Sequence, residues 1–153
     1  MKKKEIWIAV IAILVIAGVG LWAVLSGQNQ VKEENLTLLD GKEILVLLDG
    51  QELTEKTVSP GKGDGLRVVV TKENEVLADL PFGEEHTLEV IQKGGRNKIR
   101  ITANSVYMED ADCQGQDCVK MTEITRDNLE TRVLRDMIIC LPHKITVQVT
   151  EQY

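Results

Sequence analysis

Short runs in which apolar and polar residues alternate dominate the sequence from residue 36 onward. Such alternation places apolar side chains on one face of a β-strand and polar side chains on the other. In the run KITVQVT, Ile145, Val147 and Val149 share one face. Runs of this kind that recur about every ten residues are typical of a small sandwich or barrel. The predicted strands are residues 43–48, 66–71, 75–80, 87–92, 98–103, 105–109 and 144–150.

Turn-forming residues separate these runs. Glycine, asparagine, aspartate and proline, which favour tight turns, occur at residues 39–41, 48–50, 59–65, 72–74, 93–97 and 103–105. Strands joined by tight turns pair as antiparallel hairpins. The sequence therefore predicts an all-β domain, a small antiparallel barrel or sandwich.

The segment 125–137 departs from the alternation. Leu129, Val133 and Met137 are four residues apart, a spacing that places them on one face of a helix. Asp127 is a candidate helix cap. We expect a short helix or an ordered loop here.

An uncharged apolar segment, residues 6–25, precedes the β region. At about 1.5 Å of helix rise per residue, its length matches a hydrocarbon core of about 30 Å. Tryptophans stand near both ends, and three lysines precede the segment. We expect residues 1–27 to form a cytoplasmic stub and one transmembrane helix, 28–35 a tether, and 36–153 an extracytoplasmic domain.

A cleaved secretory signal is the alternative, because a basic start and an apolar run are common to both. The run is longer than the about 7–15 residues of a usual signal core, and WAVLSG makes a poor cleavage site. The anchor is favoured. We therefore expect the protein to span the cell membrane once, with its N-terminus in the cytoplasm.

The charge balance limits the classes of partner. Without Lys2, Lys3, Lys4 and Glu5, the 18 basic and 24 acidic residues become 15 and 23, a net charge of −8. Nucleic acids are bound mainly by lysine and arginine, and only 3% of the residues are aromatic and able to stack on bases. Nucleic acid is therefore disfavoured. The expected partners are the membrane, through residues 6–25, and an unknown protein or cell-envelope component.

Three cysteines offer the main candidate chemistry. Cys113 and Cys118 enclose four residues, among them Gly115, which can adopt a positive φ and let the chain turn back. Outside the cytoplasm, two cysteines this close in sequence are expected to oxidise to a disulfide. A disulfide that closes a ring of this size contributes about 2 kcal/mol to the stability of the fold. Three cysteines leave one unpaired in every arrangement. The preferred arrangement pairs Cys113 with Cys118 and buries Cys140 in the strand MIICL.

A zinc site is the alternative use of the cysteines. The ligands would be three thiolates and one imidazole, from Cys113, Cys118, Cys140 and His143. Pro142 interrupts the second pair of ligands, and such sites usually lie in reducing compartments. Acidic residues, which raise the pKa of a thiol, surround the first pair: Glu109, Asp110, Asp112 and Asp117. They also disfavour a reactive cysteine.

Other candidate motifs are weak. DADCQG resembles the start of a calcium loop, but Met121 occupies the position of the bidentate glutamate. GKGDG lacks the ending of a phosphate-binding loop, and His86 has no nucleophile beside it. The sequence therefore predicts no catalytic residues and no cofactor apart from the zinc alternative.

Two stretches, GGRNKIRITANSVYMEDADCQGQDCVKMTEI and IICLPHKITVQV, resemble the NusG domain II family of small bacterial β domains. The resemblance covers about residues 66–149. It rests on Gly95, Asn97, Ala111, Asp112, Cys113, Cys118, Val119, Cys140, Leu141 and Pro142. The segment 122–137 is longer than the usual link, and QGQD replaces a proline that often follows the first cysteine.

In that family the domain occurs inserted in some NusG transcription factors, and also alone behind one membrane helix. The sequence resembles the second type, so the resemblance implies no role in transcription elongation. We expect a non-catalytic, membrane-anchored, extracytoplasmic binding or structural domain. The alternative is a metal-handling or thiol-redox domain that uses the cysteines and His143. Nucleic-acid binding rests only on analogy with the inserted domain.

Overall fold

The computed structural model describes residues 42–53, 57–58 and 65–151. The predicted membrane segment at 6–25 and the tether at 28–35 lie outside these residues. No helix among the described residues combines the length and apolar character needed to cross a membrane. The described strands are β1 (Ile44–Leu48), β2 (Gln51–Glu52), β3 (Thr57–Val58), β4 (Leu66–Lys72), β5 (Glu75–Pro81), β6 (His86–Gln92), β7 (Gly95–Ile101), β8 (Ser105–Ala111), β9 (Ile124–Thr125), β10 (Met137–Cys140) and β11 (Ile145–Glu151). A helix, α1, spans Asp117–Lys120, and a 3₁₀ turn spans Arg126–Asn128.

The strands form two sheets. One has the order β2-β1-β6-β7-β8-β9 and the other has the order β10-β11-β4-β5-β3. Neighbouring strands are antiparallel except β3, which runs parallel to β5. A tight turn reverses the chain and cannot produce a parallel pair, so the turn signals gave no indication of this neighbour. The all-β prediction is confirmed.

The two sheets share one hydrophobic core. Val68, Val70 and Leu80 from the second sheet and Leu88 and Ile99 from the first are fully buried in it. Burying a side chain of this size contributes about 2 kcal/mol. In β11, the predicted inward residues are buried and the residues between them are not. The domain is therefore a sandwich, and β11 follows the predicted alternation.

The predicted turn at residues 93–97 is wrong in its second half. β7 begins at Gly95, and its buried residues alternate from there to Ile101. Gly95 and Asn97 face inward although neither is apolar. Because the alternation of apolar residues starts only at Ile99, the sequence pattern placed the start of the strand too late.

A bulge in β8 sets the position of the chain that follows it. Lys98 pairs with Asp110 whereas Ile99 pairs with Met108, so Glu109 is an additional residue. Met108 and Ala111, three residues apart, consequently both face the core. The chain leaves β8 directly into the first cysteine loop.

The segment 125–137 is an ordered loop, one of the two predicted forms. Thr125, not the predicted Asp127, caps the 3₁₀ turn, with Asn128 completing a capping box. Val133 is 99% exposed and Met137 begins β10. The three apolar residues at helical spacing therefore do not form a buried face, so no longer helix is stabilised.

Candidate functional site

Three cysteine side chains meet at one place in the sandwich. Cys113 follows β8, Cys118 lies in α1 and Cys140 ends β10. Their sulfur atoms all lie within 4.8 Å of one another, and those of Cys113 and Cys118 are 3.7 Å apart. The three residues are 6%, 2% and 1% exposed. This thiol cluster connects the first sheet, through β8, to the second sheet, through β10.

The loop between the first two cysteines turns at Gln116. Gln116 has a φ of 49°, whereas the predicted hinge, Gly115, is not in the left-handed region. The Gln116 side chain donates a hydrogen bond to the carbonyl of Ala111 over 3.0 Å, and its backbone N–H donates to the carbonyl of Cys113. These bonds offset the cost of about 1 kcal/mol that a left-handed non-glycine residue carries.

Two of the three thiols have a raised pKa, which favours their neutral form. Burial raises the pKa of Cys113, and burial together with the neighbouring Cys140 and Cys113 raises the pKa of Cys118. The predicted direction is confirmed, but burial is the main cause, not the acidic residues. The acidic side chains nearby bind elsewhere: Asp110 pairs with Arg96 over 2.5 Å, and Glu109 with Lys98 over 3.1 Å.

All three thiols are free in this structure. The separation of 3.7 Å between the Cys113 and Cys118 sulfurs is a nonbonded contact, since a disulfide bond is about 2.05 Å long. The Cys113–Cys118 disulfide stays a prediction. Cys140 was expected only to be buried in its strand, but its sulfur lies within 4.8 Å of the sulfurs of both Cys113 and Cys118.

A cavity of about 80 Å³ adjoins the thiol cluster. All three cysteines line it, together with the half-buried Met121 and the exposed Leu141. A cavity of this size exceeds the about 10–15 Å³ that one water molecule needs. The cluster is therefore closely packed on one side and bordered by accessible space on the other.

A second contact between the sheets forms around His143, which is 5% exposed. Its Nδ1 donates a hydrogen bond to Oδ1 of Asn97 over 2.7 Å, and its Nε2 lies 3.4 Å from Oδ1 of Asp112. Its backbone carbonyl accepts a hydrogen bond from Gln92 over 3.0 Å. We call this set, with Gly95 against the ring, the histidine contact.

The turn between β10 and β11 directs His143 to this position. Lys144 N–H donates to the carbonyl of Leu141 over 3.2 Å, which closes a four-residue turn with Pro142 in its second position. The fixed φ of proline favours that position. His143 consequently points toward β7, and both ring nitrogens contact residues outside the thiol cluster.

The predicted ligand set is thus only partly assembled. Among the described residues, the group of His, Cys, Asp and Glu residues whose ligand atoms converge comprises Cys113, Cys118 and Cys140, without His143. The remaining motif residues distribute over the two contacts. Gly95, Asn97 and Asp112 belong to the histidine contact. Ala111, Leu141 and Pro142 adjoin the turns that position the thiol cluster and the histidine contact. Val119 packs against the core. Gln92 was missed, because a single inward glutamine at the end of a strand gives no sequence signal.

The buried imidazole makes stability depend on pH. Burial lowers the pKa of His143, although the Asp112 carboxylate opposes this shift. The ring takes up a proton near pH 6.5 in the unfolded chain and at lower pH in the folded chain, so this contribution to stability is complete above pH 6.5 and is lost as the pH falls through the folded value. We expect the free energy of unfolding to fall less between pH 7 and pH 5 in His143→Gln than in the unmodified chain.

Urea unfolding at both pH values measures this difference. His86→Gln is the matched control, because it replaces the other histidine, whose ring contacts Asp49 over 2.8 Å on the surface. This variant keeps the His143 contribution. Equal pH dependence in His143→Gln and the unmodified chain would contradict the assignment.

Two sheets around one core, with a buried thiol cluster and a histidine contact between them, define a small all-β domain. A family model described as NusG domain II matches residues 8–153. The chain belongs to the NusG domain II family. The resemblance of residues 66–149 is confirmed, and the match extends beyond that range on both sides.

Several solved structures are similar to the chain. A DUF1312 family protein from Ruminococcus gnavus ATCC 29149 is 36% identical, with 56% of this chain and 97% of that chain covered and a TM-score of 0.45. Lin0431 from Listeria innocua is 19% identical over 59% and 100%, with a TM-score of 0.49. A DUF1312 family protein (EF3258) from Enterococcus faecalis V583 is 20% identical over 57% and 99%, also with a TM-score of 0.49. Comparison with curated proteins gave no match.

Proposed function

We propose that this chain is a non-catalytic domain, anchored in the membrane by residues 6–25 and exposed on the outer side, that binds a protein or cell-envelope component. The engagement of its motif residues in structural contacts carries the proposal. The His143 ring contacts Asn97 and Asp112 between the sheets, the three thiols are buried, and the pKa values of Cys113 and Cys118 are raised. A general base or nucleophile needs to reach a substrate, and the contacts of the His143 ring and the burial of the thiols disfavour that role.

The charges on the first sheet support a protein or envelope partner over nucleic acid. Arg96 pairs with Asp110, and Lys98 pairs with Glu109. Arg100 donates to the hydroxyl of Thr87 over 2.7 Å. The basic side chains of β7 are therefore matched by acidic and polar groups on the neighbouring strands, which weakens their attraction for phosphates.

The location can be tested with a thiol reagent that does not cross membranes. Val133 is 99% exposed, so Val133→Cys gives an accessible thiol, whereas the three native cysteines are buried. We expect a charged maleimide added to intact bacterial cells to label Val133→Cys and to leave the unmodified chain nearly unlabelled. The labelled chain should stay with the membrane fraction.

Labelling of Val133→Cys only after lysis would contradict an outer location. Labelled chain released into the medium would contradict the anchor and favour a cleaved signal. Equal labelling of the unmodified chain would show that the native thiols react with the reagent. That result would contradict the burial of the three cysteines. Substrate turnover by the purified full chain would contradict a non-catalytic role.

A further inference from the structure

The spacing of the three sulfur atoms in the thiol cluster matches that of metal ligands. A tetrahedral ion with metal–sulfur bonds of about 2.3 Å separates two of its sulfurs by about 3.8 Å. The sulfurs of Cys113 and Cys118 are 3.7 Å apart, and Cys140 completes a triangle with no side above 4.8 Å. A side of this triangle that is longer than about 3.8 Å would have to shorten by at most about 1 Å for all three sulfurs to reach one ion.

The surroundings of the cluster also suit an ion. The loop after β8, α1 and β10 supply one thiol each, and the fold brings them together without a disulfide bond. The adjoining cavity of about 80 Å³, which all three cysteines line, leaves space for a fourth ligand. Met121 lines the same cavity, so a thioether sulfur is also nearby. Sulfur ligands of this kind select thiophilic ions.

We propose that Cys113, Cys118 and Cys140 form a three-thiolate site for one zinc ion, with the fourth coordination position facing the cavity. His143 is not a ligand, since Asn97 and Asp112 occupy both sides of its ring. This site differs in that respect from the set of three cysteines and one histidine that the spacing predicts. The proposal is independent of membrane anchoring and of the binding partner.

Metal binding requires the three thiols to ionise. Each thiol releases its proton when its sulfur binds the cation, and the bound ion balances two of the three thiolate charges. Because protons and zinc compete for the same sulfur atoms, zinc binding is expected to weaken as the pH falls and to release protons into the solution. Within the cluster, Cys140 faces both other thiols, and no carboxylate oxygen among the described residues joins the converging group.

The test uses the full chain, purified in mild detergent, reduced, and stripped of metal with a chelator. Zn²⁺ alone is then added, and bound metal is counted by native mass spectrometry. Co²⁺ serves as a coloured substitute, because thiolate ligands give it an intense ultraviolet charge-transfer absorption. We expect one ion per chain, cobalt absorption that zinc abolishes, and alkylation of all three cysteines that is slower with zinc than the already slow reaction of these buried thiols without it.

Two variants separate this site from the alternatives. Cys140→Ser should weaken zinc binding by more than about 100-fold, the upper end of the loss caused by groups outside the ligand set. His143→Gln should retain one ion per chain with similar affinity. Circular dichroism on each variant, with and without metal, shows whether the β structure is kept.

Three results would overturn the proposal. A reduced and folded chain that takes up no zinc has no such site. Zinc binding of unchanged affinity in folded Cys140→Ser would place the ion elsewhere. Loss of binding in folded His143→Gln would make the histidine a ligand. If Cys140→Ser does not fold, the alkylation rates of the unmodified chain decide instead, because a three-thiolate site requires zinc to slow the reaction of Cys140 below its metal-free rate together with the other two.

Discussion

Replacing Gly95 with alanine should lower the free energy of unfolding by about 3 kcal/mol. A β-carbon at this position would overlap Nε2 of His143 and lie 2.5 Å from Oδ1 of Asp112. The backbone at Gly95 has a φ of +151°, a value that residues other than glycine rarely adopt. The same Oδ1 accepts a hydrogen bond from the N–H of Arg96 over 2.7 Å, so the carboxylate cannot move away without losing it. Urea unfolding measures the loss.

Gly94→Ala is the matched control. It is the preceding residue, in the turn before β7, and a β-carbon there would meet nothing within 4 Å. We expect it to change stability by less than about 0.5 kcal/mol. The double variant Gly95→Ala, His143→Ala should recover part of the loss, because it removes one of the two clashing groups. A Gly95→Ala chain as stable as Gly94→Ala would show that the histidine contact is not closely packed.

Much of the sandwich could be predicted because its strands carry period-two alternation. Where apolar residues occupy every inward position, as in β11, the predicted inward residues are the buried ones, although the strand begins and ends one residue later than predicted. The prediction fails where an inward position holds a polar or small residue, as at Gly95 and Asn97. The parallel pairing of β3 with β5 could not be predicted either, because pairing between strands distant in sequence depends on the packing of the whole core.

The cysteine site shows the same limit. The spacing of Cys113 and Cys118 predicted their proximity, but only the fold of β10 beside α1 brings Cys140 to them. His143 follows Cys140 by three residues, yet the turn at Pro142 sends it to β7. Spacing along the chain identified which residues carry chemistry. It did not identify which of them meet, since that depends on the direction each side chain takes from its strand or turn.

Replacing Phe82 with alanine should have the largest effect of all, a loss of about 3–5 kcal/mol. Phe82 is 2% exposed and is the one phenylalanine in the sequence. It follows β5 of the second sheet, and the guanidinium of Arg126, which follows β9 of the first sheet, lies 4.8 Å from its ring centroid. The substitution therefore leaves a cavity in the shared core and removes a contact between the sheets.

The thiol cluster provides a direct readout of this loss. Its three cysteines are buried, so the rate at which a thiol reagent modifies them reports how often the sandwich opens. Phe82→Ala should accelerate modification strongly and lower the urea midpoint. Arg126→Gln, which keeps the ring and removes the cation–π contact, should cost about 1 kcal/mol. Val133→Ala, at a residue that is 99% exposed, should behave like the unmodified chain. If Phe82→Ala and Val133→Ala reacted at the same rate, the two sheets would not depend on this residue for their packing, and the cysteines would be buried by local structure around α1 alone.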